Sequence, residues 1–144
     1  FRVSMYESDP TVAALVRDAL NRAQANPDLA DIACRMELFE EDSIEAMSHL
    51  GDTPDVIYLD PMFPERRKSA AVKKKFQLLH VLENPCDEAE EETLIRAAFA
   101  AGPRKVVIKR PVKGGHLAGI KPSYSITGKA VRYDVLVPPS TKLQ

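Results

Sequence analysis

The chain of 144 residues is predicted to fold as an α/β protein: a doubly wound, mainly parallel sheet that ends in an antiparallel hairpin. Three observations predict it. Short apolar runs alternate with amphipathic segments, the order expected of βαβ units. One run, Val56-Ile57-Tyr58-Leu59, is continuous and apolar, as in a parallel strand covered on both faces. Two β-rich segments around Gly128-Lys129 close the chain as a hairpin.

Arg2-Val3-Ser4-Met5-Tyr6 reads as the first strand, ended by Glu7. Asp9-Pro10 supplies a helix N-cap and a first-turn proline, whose missing N–H would find no intrahelical partner there anyway. Val12, Leu15, Val16, Ala19 and Leu20 recur at helical spacing, which predicts a helix to about residue 25, stopped by Asn26-Pro27. Met36-Glu37-Leu38-Phe39 is the second strand, and the polar Glu40-Glu41-Asp42-Ser43 leads into a short helix carrying Ile44, Met47 and Leu50. Gly51-Asp52-Thr53-Pro54 is a turn, and the third strand covers residues 55–60. Helices are predicted from Ala70 to Leu82 and from Asp87 to Ala101, the second with acids in its first turn, where the helix dipole favours them. Gly102-Pro103 breaks it. Arg104 to Lys109 is the fourth strand, and the loop from Arg110-Pro111 to Pro122 follows, with Gly114-Gly115 as its flexible point. Tyr124 to Thr127 and Val131 to Val137 make the hairpin. With no internal repeat and no low-complexity linker, residues 1–144 are expected to form one domain.

No apolar run approaches the roughly 20 residues of a membrane-crossing helix, and no secretory signal opens the chain. Cys34 and Cys86 have neither metal spacing nor a disulfide framework around them, so a reducing cytoplasm is the expected location. His49, His80 and His116 form no ligand motif, and no metal is expected. The net charge of −1 hides an asymmetry: residues 1–65 carry 4 Lys/Arg against 14 Asp/Glu, whereas residues 66–82 carry 6 basic residues and no acid. Residues 102–144 are basic again, 9 against 1. Two basic segments on an otherwise acidic chain are what a localised polyanion site needs, and equally what solvated helix and loop surface can look like.

Asp60-Pro61-Met62-Phe63-Pro64 directly follows the third strand, and open α/β sheets bind ligands at the carboxyl ends of their strands. An exocyclic base amine is a poor nucleophile because its lone pair is delocalised into the ring. The Asp60 carboxylate and the Pro61 carbonyl, holding its N–H groups, would favour a pyramidal nitrogen, and the carboxylate would stabilise the positive charge that develops. Proline limits the backbone freedom that would turn its carbonyl away. Phe63 would stack on an extruded base, or else serve as a core aromatic under the loop. Glu7 and Ser8, after the first strand, suit the ribose hydroxyls of an adenosine cofactor; a strand-end acid capping the next helix is the plain alternative. Asp42-Ser43, after the second strand, would lie near an adenine amino group unless the acidic run is only a solvated turn. Arg66, Arg67, Lys68, Lys73 and Lys74, with Lys109 and Arg110 at the end of the fourth strand, are candidates for the phosphates around a target nucleotide. Arg132-Tyr133-Asp134 reads better as structural.

Asp60-Pro61-x-Phe63 resembles the (Asp/Asn/Ser)-Pro-Pro-(Tyr/Phe) signature of S-adenosylmethionine-dependent amino methyltransferases. The longer set Val56 to Pro64, Lys68-Ser69-Ala70, Val72-Lys73-Lys74 and Val106-Val107-Ile108-Lys109-Arg110-Pro111 resembles the RsmJ family, and the Arg2-to-Pro10 opening and Arg132-Tyr133-Asp134 extend the likeness over nearly the whole chain. The resemblance implies a class I, Rossmann-like methyltransferase fold. It implies S-adenosylmethionine as donor, S-adenosylhomocysteine as product, and the N2 amine of a guanine in 16S rRNA, free or in the 30S subunit, as acceptor. Glu7, Asp42 and Asp60 then match cofactor-contacting positions, with Asp60 also at the reaction centre. In such folds the acid after a strand follows a glycine-rich loop by about 20 residues, yet the first glycine here is Gly51. A first strand and its glycine loop are therefore expected upstream, and a sheet without them would leave an edge unpaired.

Other chemistries remain open to the sequence. The same motif would serve an amino methyltransferase acting on DNA adenine or protein glutamine. A nicotinamide-dependent oxidoreductase would use Glu7 but leave Asp60-Pro61-Met62-Phe63 without a role. A non-catalytic RNA-binding module would use the basic segments alone.

Overall fold

The computed structural model describes residues 1–61 and 87–138. It divides into two compact units, Phe1–His49 and Leu50–Gln144. The predicted helix from Ala70 to Leu82 lies outside the described residues.

In the first unit, β1 (Val3–Tyr6) and β2 (Met36–Phe39) pair in parallel, Val3 against Met36 through Tyr6 against Phe39. The last pair stacks its rings, with centroids 5.2 Å apart. Helix α1 (Pro10–Gln24) connects the strands and starts where the sequence asks. Asp9 Oδ1 accepts from the backbone N–H of Thr11 and of Val12, at 2.8 and 2.9 Å, and Pro10 opens the first turn. A single turn, α2 (Ala30–Ala33), follows the Asn26-Pro27 break and was not expected from the sequence. Helix α3 (Ser43–Ser48) follows β2 and is capped by Asp42.

The second unit is a four-stranded sheet. It contains β3 (Val56–Leu59), β4 (Lys105–Pro111), β5 (Tyr124–Thr127) and β6 (Val131–Leu136), in the spatial order β3-β4-β6-β5. β3 and β4 are parallel, and β6 enters antiparallel between β4 and β5 to make the expected hairpin. Helix α4 (Glu88–Ala100) begins in a capping box: Asp87 accepts from the Glu90 N–H and Glu90 accepts from the Asp87 N–H. Gly102, at φ +73, takes the left-handed conformation that ends the helix.

Strand alternation decides the core of this unit. On one face of the sheet Leu59, Val106, Ile108 and Leu136 are buried, and Leu94, Ile95 and Ala98 of α4 are buried with them. Glu91, one turn before Leu94 on the same helical stripe, reaches Arg110 of β4 and fixes α4 on that face. On the opposite face Val135 of β6 is buried, but Val56 and Tyr58 of β3 remain 51% and 53% exposed. The expectation that β3 is covered on both faces therefore holds for one face only among the described residues. These fold features, parallel pairs joined through helices and a terminal antiparallel hairpin, are those of the Rossmann-like class.

The loop after β4 corrects a second expectation. Gly114-Gly115 is not its free hinge, because four hydrogen bonds hold the surrounding backbone. Arg110 Nε donates to the Gly115 carbonyl at 2.8 Å, and Arg132 donates to the carbonyls of Val112 and Gly114 at 3.1 and 3.2 Å. The Ala118 N–H, in a left-handed backbone at φ +48, donates to Glu91 Oε2 at 2.8 Å. Side-chain anchors, invisible in the Gly-Gly pair itself, override its intrinsic freedom.

Candidate active site

Asp60 stands one residue beyond β3, beside Lys109, because Leu59 is in register with Ile108. Lys109 Nζ donates to Asp60 Oδ2 at 2.7 Å, a short charge-assisted bond. The side chains are 37% and 47% exposed, so the pair faces solvent from a rigid strand. The hydrogen bond to Asp60 is the main reason the Lys109 ammonium holds its proton more tightly than usual; partial desolvation opposes it. Tyr133 is the cross-strand neighbour of Lys109, and its ring lies 6.5 Å from that of Tyr58 at an angle of 45°. Desolvation first, and the Asp60 charge second, push the Tyr58 hydroxyl's pKa up, so this phenol accompanies the ion pair in neutral form. Pro61 follows Asp60, half-buried. Asp60 and Lys109 are each legible in the sequence as separate candidates; the placing of Tyr58 and Tyr133 beside them is not.

Arg110 requires a correction. Expected as a phosphate contact, it is 6% exposed and turned to the α4 face. Its Nη1 is 3.2 Å from Glu91 Oε1, and Nε holds Gly115. Alternation along β4 explains why: residues 109 and 110 of one strand cannot share a face. Glu91, missed as an individual residue in the acidic first turn of α4, is its counterion.

Arg132 lies directly across from Arg110 and would repel it without a second carboxylate. Asp134 supplies that charge, accepting from Arg132 Nε and Nη2 at 2.8 Å each, and from Ser125 Oγ at 2.6 Å. His116 Nδ1 is 3.0 Å from Asp134 Oδ2. Burial alone would raise the Asp134 pKa, but the hydrogen bonds from Arg132, Ser125 and His116 outweigh it and hold the carboxyl at about 2. The structural reading of Arg132 and Asp134 fits this network.

In the first unit, Glu7 and Asp42 follow adjacent parallel strands, and the Glu41 N–H donates to the Glu7 carbonyl at 3.1 Å. Glu7 Oε1 accepts from the Asp9 N–H at 2.8 Å. Among the described residues no hydrogen bond reaches Oε2. Asp9, not Glu7, caps α1, which leaves Glu7 with an acceptor of the kind a ribose hydroxyl needs. Asp42 Oδ1 caps α3 through the N–H groups of Ile44 and Glu45, at 2.9 and 3.0 Å. Ser8 is exposed, and Ser43 opens α3, half-buried. Phe63, Arg66, Arg67, Lys68, Lys73 and Lys74 lie outside the described residues. Among the described residues no helix is long and apolar enough to cross a membrane.

Residues 1–138 match a family model described as "Putative SAM-dependent methyltransferase". The chain belongs to the SAM-dependent methyltransferase family. Proteins called ribosomal RNA small subunit methyltransferase J are similar to it: one from Stutzerimonas stutzeri is 47% identical over 143 residues, and one from Neisseria gonorrhoeae is 45% identical over 140. These alignments take in 99% and 94% of this chain but 54% and 55% of the relatives. The crystal structure of a SAM-dependent methyltransferase from Neisseria gonorrhoeae superposes with a TM-score of 0.76 at 34% identity, over 97% of this chain and 54% of that one. The chain thus spans about half the length of the relatives it matches. The likeness to the RsmJ family seen in the motifs is the one these relatives carry.

Proposed function

We propose that the chain is the catalytic part of an enzyme that transfers a methyl group from S-adenosylmethionine to the N2 amine of a guanine in small-subunit ribosomal RNA. The observation that carries this reading is the Asp60 carboxylate at the end of a parallel strand, held by one oxygen. Its Oδ1 is reached by no hydrogen bond among the described residues. The relatives, named for methylation of the ribosomal small-subunit RNA, support that substrate over DNA or protein, and guanine N2 rests on the RsmJ resemblance. The family match running through both units supports one domain over residues 1–144, and an rRNA substrate, in the 16S molecule or the 30S subunit, implies a cytoplasmic location.

Glu7 Oε2 would accept from a ribose hydroxyl, with Ser8, Asp42 and Ser43 as further polar contacts at the carboxyl ends of β1 and β2. When bound, S-adenosylmethionine supplies the methyl carbon, whose bond to sulfur breaks with its electron pair left on sulfur as the bond to nitrogen forms. Asp60 Oδ1 accepts one N–H of the guanine amine and the Pro61 carbonyl the other, which turns the nitrogen lone pair outward. As nitrogen becomes positive, the carboxylate stabilises it, then takes the departing proton and passes it to water. Phe63 would stack on the base, and Arg66, Arg67, Lys68, Lys73 and Lys74 would bind flanking phosphates.

Incubated with 16S rRNA or 30S subunits and methyl-labelled S-adenosylmethionine, the protein is expected to put label into N2-methylguanosine, and Asp60→Ala to lose it. Label in another nucleoside would overturn guanine N2 as acceptor. Folded protein that labels no RNA would overturn the substrate class.

A further inference from the structure

We propose that Lys109 is a positioning residue for methyl transfer: it pins the Asp60 carboxylate by Oδ2 and so dedicates Oδ1 to the acceptor amine. The inference rests on the methyltransferase reading and departs from the expectation that Lys109 binds a phosphate.

The geometry favours positioning. At 2.7 Å the ammonium is committed to Asp60 by a charge-assisted bond, and the contact is to one oxygen only. Lys109 projects from the interior of β4, where it pairs with Tyr133 of β6 one residue beyond the last β3–β4 pair, Leu59 with Ile108, so its origin is fixed by a strand ladder. Asp60, by contrast, stands just beyond the end of β3, where strand pairing no longer holds it. A carboxylate there, free to rotate about its side-chain torsions, would present its oxygens in many directions. Lys109 transfers the rigidity of the sheet to it, as a supporting group does for a reacting one. Tyr58 and Tyr133 flank the pair on the same face of the sheet.

A competing effect has to be weighed. The Lys109 charge also opposes the positive charge that develops on the amine. That cost falls off with distance and is shared with solvent at a half-exposed site, whereas misplacement of a reacting group by about 1 Å costs on the order of 100-fold in rate. Orientation therefore dominates, and removal of the lysine slows the reaction.

Lys109→Met and Lys109→Arg separate positioning from phosphate binding. Each is compared with wild type in single-turnover methylation at saturating 16S rRNA and S-adenosylmethionine, in RNA affinity over a salt series, and in urea unfolding. Lys109→Met is expected to lose about 10- to 100-fold in the saturated rate, with RNA affinity, salt dependence and urea midpoint unchanged. Lys109→Arg, which keeps a donor at Oδ2, is expected to recover part of that loss. A phosphate contact would give the opposite split: an intact saturated rate, weaker RNA binding, and a salt slope shallower by about one unit. That result, or a Lys109→Met rate equal to that of an active wild type, overturns the role of Lys109 and leaves the methyltransferase reading standing. A wild type that methylates no RNA overturns that reading, and the inference with it.

Discussion

Lys109 and Arg110 are adjacent cations on one strand, and β4 sends them to opposite faces with opposite consequences. Arg110 is buried against α4, paired with Glu91 and bonded to the loop carbonyl of Gly115. Lys109 is half-exposed and holds a carboxylate that stands at the carboxyl end of β3. A buried ion pair contributes through the penalty of breaking it, because removing one partner strands the other charge in a poorly solvated place. An exposed pair contributes little to stability, since solvent screens it. The Arg110 face should therefore govern folding, and the Lys109 face should govern chemistry.

The largest effect expected is on the chemical face. Asp60→Ala should lower the methyl-transfer rate by at least about 100-fold, the size of effect seen when one preorganised charge-stabilising group is removed. Its urea unfolding curve should overlay that of wild type. A variant that loses activity only because it is unfolded would break the division between the two faces.

On the structural face, Arg110→Met and Asp134→Asn should each cost about 3 kcal/mol of unfolding free energy, because each leaves a buried partner uncompensated. Denaturant titration measures this, and a loss below about 1 kcal/mol would mean that water reaches these groups.

The same network sets an acid limit. The Asp134 carboxyl is held at about 2 in the folded protein, below its value in the unfolded chain. The folded state therefore gains stability from its ionised form. That gain is complete above about pH 4 and disappears as the pH falls through about 2, and it amounts to about 2 kcal/mol. Unfolding free energy measured from pH 5 to pH 2 should show this loss in wild type and a shallower one in Asp134→Asn. Equal slopes would remove Asp134 from the account.

Smallest is a local change in the first unit. Asp9→Ala removes the cap that accepts from Thr11 and Val12, and should cost about 1 kcal/mol. Thermal or urea unfolding reads it directly, and an unchanged midpoint would show that the α1 terminus frays without penalty.

Much of the fold was legible because local signals agreed with the global arrangement. Asp9-Pro10 marked the start of α1, the acidic first turn after Asp87 marked the start of α4, and Met36 to Phe39 were a strand in both sequence and structure. Less legible was whatever depends on residues far apart in the chain. Gly114-Gly115 looked free because the groups that hold the loop, Glu91, Arg110 and Arg132, come from three different elements. The site was legible in its types but not in its partners: Asp60 was recognised by its motif, whereas its bond to Lys109 spans 49 positions. One signal was present and unused. Period-2 alternation along β4 already forbids Lys109 and Arg110 from sharing a phosphate-binding rim.

The most direct test sets Lys109→Met beside Arg110→Met, measuring unfolding free energy and single-turnover methylation per folded molecule for both. The account predicts a crossed result: Lys109→Met keeps wild-type stability and loses rate, and Arg110→Met loses about 3 kcal/mol and keeps its rate per folded molecule. Two variants that fail in the same way, or in the reverse order, would contradict the assignment of one face of β4 to folding and the other to catalysis.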